Sequence, residues 1–105
     1  MSYSVKLTQE ANEDLERLYE HILQRELDRD VPDFGLADRA LAAIGDALVM
    51  LEKFPFSCRK ASDSPFLREL VISFGATGYV ALFDIVDDHT VMIIAVRHQR
   101  EADYH

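Results

Sequence analysis

The hydrophobic period of this 105-residue chain passes from helical to strand-like near residue 56, and that change limits the folds open to it. Before it, apolar side chains recur at three and four residues. Ala11, Leu15, Leu18 and Ile22 form one stripe, which Tyr19 and Leu23 widen. Ala37, Ala40, Leu41, Ile44, Ala47, Leu48 and Leu51 form a second. Both are the pattern of helices that bury one face. After it, residues 67–74, 79–86 and 90–98 are dense in Val, Ile, Leu and Phe and bounded by turn residues. That is the pattern of strands. Helices and strands are thus segregated along the chain, which implies an α+β fold rather than alternating βαβ units. At this length a single domain, residues 1–105, is expected.

Local signals refine the element list. Tyr3, Val5 and Leu7 would share one face of a short N-terminal strand. Thr8 is a candidate N-cap for a helix over residues 9–27, whose early acids suit the positive end of its dipole. Pro32 breaks the chain within residues 28–33. The alanine-rich second helix suggests close approach to a neighbour, and Gly45 within it suggests the same. Phe54-Pro55 ends it. Two helices joined by a short break make an antiparallel hairpin. Residues 56–65 read as a polar loop. Gly75-Ala-Thr-Gly78 and Asp87-Asp-His89 are tight connections, so the three strands make an antiparallel meander. The expected architecture is an N-terminal strand and a helical hairpin packed on one face of that meander.

Charge and composition exclude several functions. The net charge is −8, with 12 acidic and 6 basic side chains in residues 1–54 against 7 and 5 in residues 55–105. General nucleic-acid binding needs a basic surface, so none is expected. The lone Cys58 cannot form an intramolecular disulfide. Beside Arg59 and Lys60 its thiol could be activated, but a small side chain near a loop is the commoner role. There is no long apolar run and no signal-peptide pattern, so a cytoplasmic protein without membrane association is expected. The four histidines lack metal-ligand spacing. Neither a phosphate-binding glycine loop nor a Ser-His-Asp arrangement is present, so no metal and no cofactor are expected.

The C-terminal end is the candidate site. A hydrophobic strand breaks abruptly into Arg97-His98-Gln99-Arg100, and the chain continues to Tyr104 and His105. Uninterrupted alternation puts Arg97 on a face with Val91, Ile93 and Ala95, and His98 with Met92, Ile94 and Val96. Arg68 falls with Leu70, Ile72 and Phe74. The meander is expected to bring Arg68 and Arg97 to one end of the sheet, where Arg100, Tyr104 and His105 could join them. Arginines so placed can clamp a phosphate, and a tyrosine or histidine can stack on a base or move a proton. The structural alternative pairs Arg68 with Glu69 or a helix carboxylate, and Arg97 with Asp84 or Glu101. For each arginine taken singly that alternative is favoured.

Three segments carry a resemblance: Leu7-Thr-Gln-Glu-Ala-Asn-Glu-Asp-Leu15, Leu67-Arg-Glu-Leu70 and Val96-Arg-His-Gln-Arg-Glu101. Together with the order of elements, they resemble the ParE/RelE superfamily of toxins from type II toxin–antitoxin systems. The resemblance implies neutralisation by a cognate antitoxin that folds on binding. Two branches are then open. A ParE-like chain would poison DNA gyrase without chemistry of its own. A RelE-like chain would cleave mRNA in the ribosome, and Arg68, Arg97, His98 and Tyr104 would be its catalytic candidates. RelE-like nucleases tend to be strongly basic, so a net charge of −8 favours the ParE-like branch. An enzyme is accordingly not favoured. A third possibility is a non-toxic relative that only binds an antitoxin. In the ParE-like reading Arg97, His98, Arg100, Tyr104 and His105 contact the target or the antitoxin. The acidic helices would suit an antitoxin segment carrying lysines or arginines, and an open sheet edge would suit strand addition.

Overall fold

The computed structural model describes residues 2–101. In chain order these form β1 (Ser4–Leu7), α1 (Gln9–Leu27), α2 (Leu36–Val49), β2 (Arg59–Lys60), β3 (Leu67–Phe74), β4 (Thr77–Ile85) and β5 (Thr90–His98). Short 3-10 turns follow α2, precede β2 and close the described chain at Gln99–Glu101. Tyr104 and His105 lie outside the described residues.

The meander β3–β4–β5 is the centre of a larger sheet with strand order β1-β5-β4-β3-β2. β1 adds parallel to β5, with Val5 opposite Val91 and Leu7 opposite Ile93. β2 adds antiparallel to β3, with Arg59 opposite Glu69 and Lys60 opposite Arg68. The polar loop expected over residues 56–65 therefore contains an edge strand. Its residues are charged and do not alternate, so the sequence carried no strand signal. Its pairing comes from the backbone ladder and from an Arg59–Glu69 ion pair at 2.9 Å.

Thr8 caps α1, its Oγ1 accepting from the Ala11 N–H at 3.1 Å. The buried stripe of α1 is Ala11, Asp14, Leu18, Ile22 and Glu26. That of α2 is Ala37, Ala40, Ile44 and Leu48. Ala11, Ala37 and Ala40 are fully buried, consistent with small side chains admitting close packing. Gly45 behaves otherwise: a Cβ there would meet nothing within 4 Å, so it marks open surface and not a close approach. The helices cover one face of the sheet, α1 against β5 and α2 against β3. Phe83, Ile93, Val91 and Ile44 are at the centre of the core between them.

The helix connection is held by Glu26, which is fully buried. Its Oε1 accepts from the Asp33 N–H at 2.9 Å and its Oε2 from Arg29 at 3.2 Å. A buried carboxylate is tolerated when its oxygens are so occupied. At the β3–β4 turn Phe74 pairs with Thr77, leaving Gly75-Ala76 as a two-residue loop. Gly75 has φ +62°, as a primed hairpin turn demands at its first central position. Thr77 and Gly78 belong to β4, not to the connection.

Candidate functional site

Two features of the sheet overturn the expected geometry of the arginines. The first is register. Arg68 is opposite Phe83, which is opposite Ile93, whereas Arg97 is opposite Val80, which is opposite Val71. In an up-down-up meander the start of β3 lies beside the start of β5, not its end. Arg68 and Arg97 are thus offset by about 10 Å along the strands, at about 3.3 Å per residue. The second is a β-bulge. Leu82 faces Ala95 but Phe83 faces Ile93, so Ile94 is an extra residue in β5. A bulge flips every side chain beyond it to the other face. His98, opposite Tyr79, therefore continues the core face of Val91, Ile93 and Val96. Arg97 points to the outer face with Ala95 and Val80. The expected convergence of Arg68 with Arg97 does not occur.

Each arginine has a structural employer that differs from those anticipated. Arg68 stitches the segment before β3 to the sheet. Its Nε donates to the Pro65 carbonyl at 2.7 Å, and its Nη1 to those of Phe56 at 3.1 Å and Cys58 at 2.6 Å. Its guanidinium also stacks over the Phe56 ring, 5.2 Å from the centroid. Arg97 pairs with Asp14 of α1, not with Asp84; the Glu101 side chain lies outside what the structure describes. Cys58 is half-buried, and burial pushes its thiol above its ordinary pKa, the opposite of activation.

Asp14 explains why α1 meets the end of β5. β1 covers the β5 edge only as far as Ile93. Beyond that point α1 takes over. The Thr8 N–H donates to the Ile93 carbonyl at 3.0 Å and the Thr8 hydroxyl to that of the bulged Ile94 at 3.2 Å. The Asp14 Oδ2 then accepts the Val96 N–H at 3.0 Å. The same carboxylate holds Arg97 on one side and Arg17, at 3.1 Å, on the other.

This arrangement leaves a groove of about 820 Å³ between α1 and the end of the sheet. Its floor is apolar: Leu18 and Ile22 of α1, Leu36 of α2, Phe74 and Tyr79. Its polar lining is Arg17, His21 and Arg25 from α1, Thr77, and His98 and Arg100 from the C-terminal end. Among the described residues no carboxylate lines it. Among the described residues neither Arg25 nor Arg100 forms an ion pair. Burial raises the pKa of the Tyr79 phenol, an effect the Arg25 guanidinium partly offsets.

His98 is fixed within the groove. Its Nδ1 accepts the Arg100 N–H at 3.1 Å, so the ring proton resides on Nε2, which donates to the Thr77 Oγ1 at 2.9 Å. Its ring packs edge-on against Tyr79, with centroids 5.7 Å apart. With both nitrogens engaged, His98 orients the 3-10 turn that carries Arg100. Of the residues anticipated from sequence, His98 and Arg100 do come together here. Arg17, His21 and Arg25 were not anticipated. Their spacing of four and four puts them on one stripe of a helix, and that basic stripe on an otherwise acidic helix was the signal available.

A groove with a cationic rim and apolar floor can capture an anionic partner. Among the described residues it does not present a nucleophile paired to a base. Among the described residues no group of three or more His, Cys, Asp or Glu side chains could hold a metal ion. No helix among them is long and apolar enough to cross a membrane.

The chain matches the family model for the ParE toxin of the type II toxin–antitoxin system parDE over residues 5–103. No curated protein matches it. Among solved structures, its fold is similar to a chain of the chromosomal ParDE toxin–antitoxin system from P. aeruginosa, with a TM-score of 0.70 and 20% identity. That similarity covers 92% of this chain and 96% of the other.

Proposed function

This chain belongs to the ParE toxin family of type II toxin–antitoxin systems, and from that footing we propose that it acts on DNA gyrase and is held silent by a cognate antitoxin. The family match, which spans nearly the whole chain, carries the reading. The geometry supports it by weakening the nuclease alternative. Cleavage of RNA needs cationic groups and a proton carrier gathered around one phosphate. Here Arg68 donates to carbonyls some distance from the C-terminal end, and Arg97 is turned to the other face of the sheet. We assign His98 and Arg100 to the contact surface, and Arg97 to positioning through Asp14. The roles of Tyr104 and His105 as further contacts belong to the same proposal.

Supercoiling by gyrase in the presence of excess purified chain tests this directly. Inhibition, or accumulation of a cleavage complex, is the expected result. Normal supercoiling with no cleavage complex overturns the gyrase reading. Cleavage of ribosome-bound mRNA, lost on Arg97→Ala, would replace it with the nuclease. Unimpaired growth on expression would leave a non-toxic antitoxin-binding relative.

A further inference from the structure

The segment that joins α2 to β3 differs from the rest of the chain in charge and in what it exposes. Residues 53–68 carry four basic side chains, Lys53, Arg59, Lys60 and Arg68, against one acidic, Asp63, a local charge of +3 in a chain of −8. The segment is bounded by Glu52 and Glu69, the second of which is paired with Arg59. It also exposes Phe54, Phe56 and Phe66, by 60%, 47% and 49%, whereas Phe83 of the core is fully buried. One exposed apolar side chain is ordinary; three large rings on one short basic segment mark an interaction surface.

The rings are presented by a fixed backbone. Pro55 is buried, and its two neighbours, Phe54 and Phe56, are turned out on either side of it. The Ser57 hydroxyl donates to the Phe54 carbonyl at 2.7 Å, and Arg68 ties down the carbonyls of Phe56 and Cys58. Phe56 has the Arg68 guanidinium over its ring and meets Phe66 edge-on, with centroids 6.3 Å apart. A surface ordered before it binds loses little freedom on binding.

We propose that this surface binds a short stretch of single-stranded nucleic acid, with bases stacked on Phe54 and Phe66 and phosphates met by Lys53 and Lys60. Exposed aromatic planes interleaved with cations are what such binding requires, and any base can use them. The whole-chain charge still opposes general binding of a duplex; a strand needs only the local site. Charge chooses between the possible occupants. A peptide carboxylate is best held by an arginine fork, but Arg59 is committed to Glu69 and Arg68 to backbone carbonyls. Among the described residues neither Lys53 nor Lys60 forms an ion pair. Lysine is a point charge, which is enough for a phosphate. A second copy docked through the same patch would set these cations against their own equivalents. An anionic membrane is extended and would face the repulsion of the whole chain. The acidic face of α1 does not reach this site. α1 packs on β5, three strands from β2, a separation of about 14 Å at about 4.8 Å per strand, beyond the Debye length of about 8 Å at physiological salt.

Fluorescence anisotropy of labelled oligonucleotides titrated with the full chain, at about 0.1 M salt, tests this. The probes are a thymidine DNA strand, a uridine RNA strand and a DNA duplex of the same length. At least one single strand is expected to bind at least about tenfold more tightly than the duplex, and the stronger of the two names the natural source. Phe54→Leu keeps an apolar side chain and removes the stacking plane. It should weaken single-strand binding by at least about fivefold with an unchanged melting temperature. Phe66→Leu gives a second reading of the same loss. Lys53→Gln/Lys60→Gln should make the dependence of log K on log salt shallower by about 1.4, the share of two phosphates. No single-strand binding, equal binding of the duplex, or undiminished binding by both leucine variants overturns the assignment. So does binding of phosphatidylglycerol vesicles in place of either strand, or a dimer in sedimentation that Phe54→Leu dissociates. Gyrase inhibition is read separately. Single-strand binding without it keeps this surface and sinks the gyrase reading; inhibition without binding does the reverse.

Discussion

At the scale of single residues, the two informative glycines behave oppositely. Gly45 sits in the interior of α2 with nothing within 4 Å of where a Cβ would be. Gly45→Ala should therefore stabilise the protein by up to about 1 kcal/mol, through helix propensity and a stiffer unfolded chain. A raised melting temperature in thermal denaturation checks it. Gly78 has the same residue type and the opposite constraint. A Cβ there would lie 2.1 Å from the Ile72 carbonyl oxygen, which belongs to the backbone of the paired strand. Gly78→Ala should separate β3 from β4 and lower stability measurably. The sequence marked both residues as glycine and could not say which was tolerated, because the difference lies in what is across the sheet. Asp14 makes the same point more sharply. It reads as one acid among several on α1, yet it holds a backbone N–H and two arginines. Asp14→Ala should cost about 2 kcal/mol in urea unfolding, in the range for hydrogen bonds to a charged group. Asp14→Asn, which keeps the acceptor for Val96, should cost less.

At the scale of elements, the termini of α1 were legible from local chemistry and the behaviour of β5 was not. Thr8 before the apolar stripe is an N-cap signal, and α1 begins there. Thr8→Ala should cost about 1 kcal/mol for the cap, and it also removes the donor to the bulged Ile94 carbonyl. Hydrogen exchange at the end of β5 should accelerate in that variant; unchanged exchange there would mean that the bulge holds without Thr8. The bulge itself leaves no mark in a run of apolar residues, because any of them can be the extra one. It nevertheless decides that His98 and not Arg97 faces the helices. The link between the helices carries a pH dependence. Arg39 holds the Asp33 carboxyl below its ordinary pKa, with help from the Gly35 N–H. A depressed folded-state value means a stabilising contribution present above the unfolded pKa and lost as pH falls through the folded one. The difference in melting temperature between the wild type and Asp33→Asn should therefore shrink as pH falls below about 4.

At the scale of the whole molecule, the sheet separates two arginines that the sequence invited one to unite. Arg68 belongs to the scaffold: its guanidinium satisfies carbonyls of a segment with little regular structure. Arg68→Ala should speed proteolytic nicking within residues 56–66 and lower stability, and under the gyrase proposal the intact fraction should still inhibit supercoiling. Abolished activity in a fully folded variant would instead return Arg68 to the functional site. The groove forms at the other end, where α1, the β3–β4 turn and the end of β5 meet. Its basic lining comes from residues some 70 to 80 positions apart in the chain. Three of its five basic residues, Arg17, His21 and Arg25, form a regular helical stripe that was available to a reader of spacing. The other two, His98 and Arg100, were recognised as a polar end without knowledge of what they would face.

The linear chain determined the class of fold, the change from helical to strand period, the positions of the long elements and the family to which they point. These depend on local periodicity, capping and turn chemistry, all of which act over a few residues. The parallel docking of β1 on β5, the edge strand β2, the bulge at Ile94 and the partners of Arg68, Arg97 and Asp14 were decided by the tertiary structure. Each depends on which backbone groups remain unpaired after the sheet has formed. That remainder is a property of the assembled register, and no short stretch of sequence contains it.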